Sequence, residues 1–174
     1  MKIEVCNLNQ PLEDCSMKHV IKEITTSKLE SFKRDTEHSM EILDTIEGIT
    51  FINDSKAINA KLTAENINSI DAELVLILGG DDMKTDYSWF QFNNYYNIKT
   101  VVYFGRRLPE IKNIFNKHVM VIVIDGLENA VTVARNRAIT NQVVLFSPAC
   151  PSYDAFDNYK NRGNKFKQLV TKLK

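Results

Sequence analysis

The stretch Ile49-Thr50-Phe51-Ile52-Asn53-Asp54-Ser55-Lys56-Ala57 decides the fold. An apolar, β-forming run (Ile49 to Asn53) passes straight into a carboxylate, a hydroxyl and an ammonium, and a helix-forming segment over residues 60–70 follows. A strand that yields to a helix through a polar loop is the repeating unit of parallel α/β sheets, whose ligand chemistry gathers at the carboxyl ends of the strands. Two further runs end the same way. Leu74–Leu78 leads into Gly79-Gly80-Asp81-Asp82, and Val143–Phe146 leads into Ser147-Pro148-Ala149-Cys150-Pro151-Ser152. The three loops are expected on one edge of one sheet.

Outward from this stretch, strand and helix patterns alternate. On the N-terminal side, Met40, Ile42 and Leu43 open a short strand, and Glu47-Gly48 turns it back as a hairpin. On the C-terminal side come an aromatic-rich helix over residues 87–96, a strand over 99–104 and a helix over 107–117 with Pro109 in its first turn. A strand over 119–124, a helix over 127–138, the strand over 142–146 and a closing helix from Asn158 complete the pattern. Continuously apolar strands separated by helices mean a parallel sheet covered on both faces. The expected fold is α/β, a Rossmann-like three-layer sandwich, with a mostly parallel sheet of about six strands and one antiparallel edge strand. Residues 1–16 lack periodicity and residues 17–32 fit a helix, so 1–37 is expected as an N-terminal arm and helix and 38–174 as the main domain.

Composition narrows the function. The chain has 174 residues, long enough for a proper core, and 22 basic against 22 acidic side chains. That balance gives no electrostatic case for nucleic acid or an anionic membrane as a partner. No apolar run approaches the roughly 20 residues needed to cross a bilayer, and the start has no apolar signal core. Three cysteines, Cys6, Cys15 and Cys150, without metal-type spacing read as reduced thiols, so the expected location is cytoplasmic.

Taken singly, the loop residues read as turn and cap formers; taken together, three loops with a lysine in two of them read as a binding edge. Gly79-Gly80 resembles a phosphate turn, but no dinucleotide or P-loop spacing is present. Asp81, Asp82 and Asp86 offer oxygen ligands for a divalent cation, against the plainer reading of a solvated turn; no metal site is assigned. Cys150 has no histidine placed to activate it, and His19, His38 and His118 show no ligand spacing. No catalytic residue is assigned.

Four motifs, in order, carry a resemblance: Phe51-Ile52-Asn53-Asp54-Ser55-Lys56-Ala57-Ile58-Asn59, Leu76-Ile77-Leu78-Gly79-Gly80-Asp81, Phe146-Ser147-Pro148-Ala149-Cys150-Pro151-Ser152-Tyr153-Asp154, and Asn158-Tyr159-Lys160-Asn161-Arg162-Gly163-Asn164-Lys165-Phe166. From His38 to Leu173 the chain resembles the C-terminal domain of UDP-N-acetylmuramoyl-L-alanine:D-glutamate ligase, of the Mur ligase family of peptidoglycan synthesis. The resemblance implies the amino-acid-binding, site-closing part of an ATP-dependent amide-forming ligase, not competent for ligation alone. The segment at 17–32 resembles the tail of the preceding central domain. ATP and magnesium are the family's cofactors; none is expected on this chain by itself, and a P-loop Mur ligase domain or another cell-wall enzyme is the expected partner. Position by position, the resemblance puts Lys56, Ser152, Tyr153, Tyr159 and Lys84 on the D-glutamate side and Asp54 and His38 on the nucleotide side. Ser39, Ile58 and Met83 stand where the family has an arginine, a threonine and a lysine, Lys84 falling one residue late. Those departures open the alternative, a stand-alone, degenerate binding or protein-interaction module without catalytic activity.

Overall fold

The computed structural model describes residues 37–80, 82–91, 95–105, 108–115, 119–153 and 155–174. The expectations for residues 1–36, including the helix at 17–32 with His19, Cys6 and Cys15, lie outside the described residues, as do those for Asp81, His118 and Asp154.

Six strands form one sheet: β1 (Glu41–Ile46), β2 (Ile49–Asn53), β3 (Leu74–Leu78), β4 (Ile98–Tyr103), β5 (Met120–Val123) and β6 (Val143–Phe146), in the order β1-β2-β6-β3-β4-β5. β1 pairs antiparallel with β2, and every other pairing is parallel. The hairpin follows from its turn. Glu47 and Gly48 both have positive φ, 50° and 77°, the two-residue geometry whose twist matches that of the strands it joins. β1 carries a register shift between Ile42 and Asp44, a bulge that interrupts an otherwise regular outer strand.

Helix α1 (Ala60–Asn68) joins β2 to β3, α2 (Leu108–Ile114) joins β4 to β5, α3 (Leu127–Arg137) joins β5 to β6, and α4 (Tyr159–Thr171) follows β6. The route β2 to β5 moves one way across the sheet and the return to β6 moves back. A constant right-handed crossover therefore puts the outbound helices on one face and α3 on the other. The contacts agree. α3 packs on α4, β3 and β4, and α4 on β1 and β2, while α1 and α2 both meet the 3₁₀ turn Tyr87–Phe90. The core under α3 and α4 takes alternate strand residues, Phe51, Val75, Ile77, Val102, Val144 and Phe146, against Ala130, Val131, Ala134, Phe166 and Val170. The intervening residues, among them Ile52, Leu74, Leu76, Leu78 and Leu145, are equally buried and serve the other face. The three-layer α/β sandwich with one antiparallel edge is as the periodicity predicts.

One element differs. Among the described residues of the helix expected over 87–96, the helical part is a 3₁₀ turn at Tyr87–Phe90, closed by Gln91 N–H donating to the Ser88 carbonyl at 2.9 Å. Tyr87 and Phe90, three apart, are both buried on one side of this turn. No described helix is long and apolar enough to cross a membrane.

Candidate functional site

Reversal of the winding direction fixes where the loops part. The segments after β2 and β3 turn toward the α1 face, and the segment after β6 turns toward the α4 face. Since β6 lies between β2 and β3, its loop is flanked by crevices at the carboxyl ends of the strands, the position where open α/β sheets hold ligands.

Internal bonds lock the three loops together. Asp54 N–H donates to the Phe146 carbonyl at 2.8 Å, Ala149 N–H to the Ala57 carbonyl at 3.1 Å, and Gly79 N–H to the Pro148 carbonyl at 3.1 Å. Asp54 is 1% exposed, and its carboxylate accepts from Met40 N–H at 3.2 Å, Asn66 Nδ2 at 2.8 Å and Ser147 Oγ at 2.7 Å. The side chain expected on the nucleotide side thus joins the start of β1, helix α1 and the β6 loop. Ala149, fully buried, has φ 62°. A left-handed alanine costs about 1–2 kcal/mol, and the bonds around it offset that cost.

Arg162, not among the expected site residues, is the centre of this network. It is 1% exposed on α4, and its guanidinium donates to Ser55 Oγ at 3.1 Å, the Ser55 carbonyl at 2.9 Å, the Cys150 carbonyl at 3.0 Å and the Pro151 carbonyl at 2.9 Å. One planar fork therefore holds the β2 and β6 loops in register. A signal did exist: Arg162 lies on the same helical stripe as Phe166 and Val170, a cation where periodicity calls for an apolar residue.

His38, also 1% exposed, has φ 66° and packs against Gly163, where a Cβ would collide with the imidazole. Asn53 Oδ1 accepts from Ser55 N–H at 3.2 Å, which turns its Nδ2 toward His38 Nδ1 at 2.9 Å and Glu41 Oε2 at 3.1 Å. An accepting Nδ1 leaves the ring proton on Nε2. Burial holds the imidazole below its ordinary pKa, against the opposing pull of Glu37. Lys167 bonds Glu37 at 2.9 Å and Glu41 at 2.6 Å. Burial works against its ammonium, but these two bonds prevail and raise its pKa.

The remaining expected residues divide by exposure. Ser152 is buried, Tyr159 half-buried, and Lys56, Lys84 and Tyr153 exposed. Tyr159 lends its carbonyl to Ser55 Oγ at 2.8 Å, and its ring meets His38 edge-on at 6.2 Å. Lys56 sits beside them, its N–H donating to the His38 carbonyl at 2.9 Å. Lys84 lies across the β6 loop, lining a cleft with Ile58 and Pro151. Neither Lys56 nor Lys84 has an ion-pair or side-chain hydrogen-bond partner among the described residues. The edge therefore presents two uncommitted ammonium groups on either side of a rigid loop. A larger cleft of about 580 Å³ opens on the far side of Arg162, between Gly80, Gly105 and Gly126.

One turn reading changes. Asp82 does not lie in a solvated turn; it is fully buried and accepts from the Tyr87 and Tyr103 hydroxyls, and burial together with this carboxylate raises the Tyr87 pKa. Among the described residues no acidic, histidine or cysteine cluster is grouped to hold a metal ion. The Gly79-Gly80 turn is shaped by the loops packed beside it, and Gly80 also lines the larger cleft. A Cβ at Gly79 would meet Gly105 N at 2.5 Å, and one at Gly80 would meet Cys150 Sγ at 3.1 Å, so the protein's own loops fill the space beside both glycines. Cys150 is a buried free thiol of that packing.

No protein-family model matches the chain. Among curated proteins, the UDP-N-acetylmuramoylalanine–D-glutamate ligase of Natranaerobius thermophilus is 38% identical over 140 residues, which are 79% of this chain and 30% of that protein. The ligase of the same name from Clostridium botulinum strain Kyoto is 30% identical over 175 residues, 97% of this chain and 36% of that protein. The chain is homologous to the C-terminal domain of these Mur ligases. It spans about a third of the length of the curated relatives it matches. A solved structure of MurF ligase from Thermotoga maritima in complex with ADP aligns with TM-score 0.49 at 14% identity, covering 80% of this chain and 32% of that one. Within the Mur ligase domain, the four motifs fall on the β2 loop, the β3 loop, the β6 loop and the first turns of α4; Arg162 of α4 binds the β2 and β6 loops, Asp54 binds β2 to β6, and Gly79 N–H ties in the β3 loop.

Proposed function

We propose that this Mur ligase domain supplies the amino-acid-binding, site-closing part of an ATP-dependent amide-forming ligase of peptidoglycan synthesis, in the cytoplasm. One observation carries the reading. Lys56 and Lys84 flank the buried Ser152 loop with ammonium groups that no described carboxylate neutralises. Uncommitted cations on a rigid edge suit a ligand that brings its own carboxylate, and charge-assisted hydrogen bonds supply the contact. Lys56, Ser152, Tyr153, Tyr159 and Lys84 are the residues assigned to that ligand. The sequence carries no P-loop or dinucleotide spacing, so ATP and magnesium are assigned to a partner P-loop domain, with this domain closing over it. Asp54 and His38 act on the nucleotide side through the loops they hold rather than by direct exposure.

The experiment is an NMR titration of the whole chain with D-glutamate and other free amino acids. Saturable shifts at Lys56, Ser152 and Tyr159, weakened about tenfold or more by Lys56→Met, are the expected result, since a charged hydrogen bond contributes about 1.5–3 kcal/mol. The absence of binding by any amino acid, or binding indifferent to Lys56→Met, overturns the assignment.

A further inference from the structure

The two outer strands of the described sheet, β1 and β5, each leave one side without a strand partner, and the sequence treats them differently. β1 is blunted. It carries the register shift between Ile42 and Asp44, Glu41 and Asp44 are tied to Lys167 and Lys174, and α4 packs against it. β5 has none of these devices. Met120-Val121-Ile122-Val123 is apolar throughout, without charge, proline or a break in its register with β4. Met120 and Val123 are 51% and 43% exposed, and Val121 and Ile122 are half-buried. Ile124 N–H donates to the Tyr103 carbonyl at 3.0 Å, so by alternation Ile122 and Met120 also bond β4. Val121 and Val123 therefore turn their backbone N–H and C=O groups to the open edge, where no described strand meets them.

We propose that β5 is a dimerisation edge, pairing antiparallel with β5 of a second copy about a two-fold axis at Val121. Two observations choose a second copy over another partner. A strand without charge meets its own copy with no like charges opposed, and zero formal net charge lets two copies approach without repulsion. The sequence around Val121 is also charge-complementary to its own reverse, with Lys117 four residues before it and Asp125 four residues after. In this register Val121 faces Val121 of the other copy and Met120 stands against Ile122, apolar on apolar. The blunted β1 then stops growth. Each copy offers one pairing edge, so the assembly closes as a dimer and does not extend into a fibre. A single strand pair is a small interface, below about 1,200 Å², so the dimer forms and dissociates with concentration.

The test is sedimentation velocity of the whole chain from micromolar to millimolar concentration, with amide hydrogen exchange at both ends of the range. The mass is expected to shift toward twice that of the single chain, and the Val121 and Val123 amides to gain protection as it does. Val121→Pro removes an outward N–H without touching the β4 ladder, so it is expected to keep the fold by circular dichroism and abolish the shift. Val121→Lys and Val121→Glu set like charges opposite each other, and each is expected to stay monomeric alone. Mixed together they are expected to restore the dimer, a readout that a misfolded variant does not give. A chain monomeric throughout, a dimer indifferent to Val121→Pro, or a mixture that fails to pair overturns the proposal. Val121 and Val123 amides protected to the same degree at low concentration mean that the chain covers its own edge, and overturn it as well.

Discussion

Two buried polar residues, Arg162 and His38, determine how firmly the site loops are held. Arg162 answers three backbone carbonyls, those of Ser55, Cys150 and Pro151, from inside the domain. Arg162→Met leaves these acceptors buried without their donor, at about 1–3 kcal/mol each, so a loss of about 3 kcal/mol or more is expected in urea unfolding. Arg162→Lys recovers only part of it, because a single ammonium cannot reproduce a planar fork that reaches two loops. His38 gives a pH dependence. Its folded-state pKa is depressed by burial below the ordinary 6.5, so above that pH the ring is neutral both folded and unfolded. As pH falls below 6.5 the unfolded chain takes up a proton that the folded one refuses until its own lower pKa is reached, and stability declines through that window. The salt-bridged Glu37 and Glu73 have carboxyl pKa values lowered from 4.5, so they take stability away only at more acidic pH. His38→Asn, which tolerates the positive φ, is expected to flatten the stability profile between pH 7 and 5. An unchanged slope would assign the proton to another group.

At the scale of elements, helix α4 is shaped by the residue it leans on. A glycine inside a helix costs about 1 kcal/mol against alanine, yet Gly163 sits in the first turns of α4 because the His38 imidazole occupies the space a Cβ would need. Gly163→Ala is therefore expected to destabilise the domain despite the gain in helix propensity. Combining it with His38→Asn relieves the collision, so the double-mutant cycle should show coupling of about 0.5 kcal/mol or more; additivity would mean that the two side chains do not compete for one space. The β1–β2 turn is a second case. Gly48 has φ 77°, and a Cβ there would lie 2.7 Å from Thr140 Cγ2. Gly48→Ala is expected to cost about 1–2 kcal/mol. The hairpin was legible from Glu47-Gly48 between two β-forming runs, and the five parallel strands from their unbroken apolar character. Within the stretch 87–96 the described helical residues are Tyr87–Phe90 alone, because aromatic content signals burial and not where a helix stops. Arg162 and Asp82 escaped because charge is ordinarily a surface signal, and only the partners, distant in sequence, make it an interior one.

At the scale of the whole molecule, the sequence placed the loops on one sheet edge more readily than it showed which of their side chains are buried. Lys56, Lys84 and the Ser147–Ser152 loop do meet at the carboxyl ends of neighbouring strands, as alternating strands and helices require, and topology alone delivers that. Asp54 and His38 instead lie inside the domain, because whether a loop carboxylate faces solvent or a neighbouring loop depends on donors such as Asn66 and Ser147, residues whose relevance no local pattern reveals. The same network bears on autonomy. The core on the α3–α4 face is assembled from Ile46 through Val170, and the loops at the site edge are cross-linked by Asp54 and Arg162, all within residues 37–174. A chain that carries its own core and satisfies its own buried polar groups unfolds as one unit. A fragment of residues 37–174 is accordingly expected to unfold in urea in a single transition, with circular dichroism and Trp89 emission coinciding. Its m-value should match burial of a domain of that size. Transitions that separate by probe, or a fragment without a cooperative transition, would mean that residues 1–36 supply part of the core.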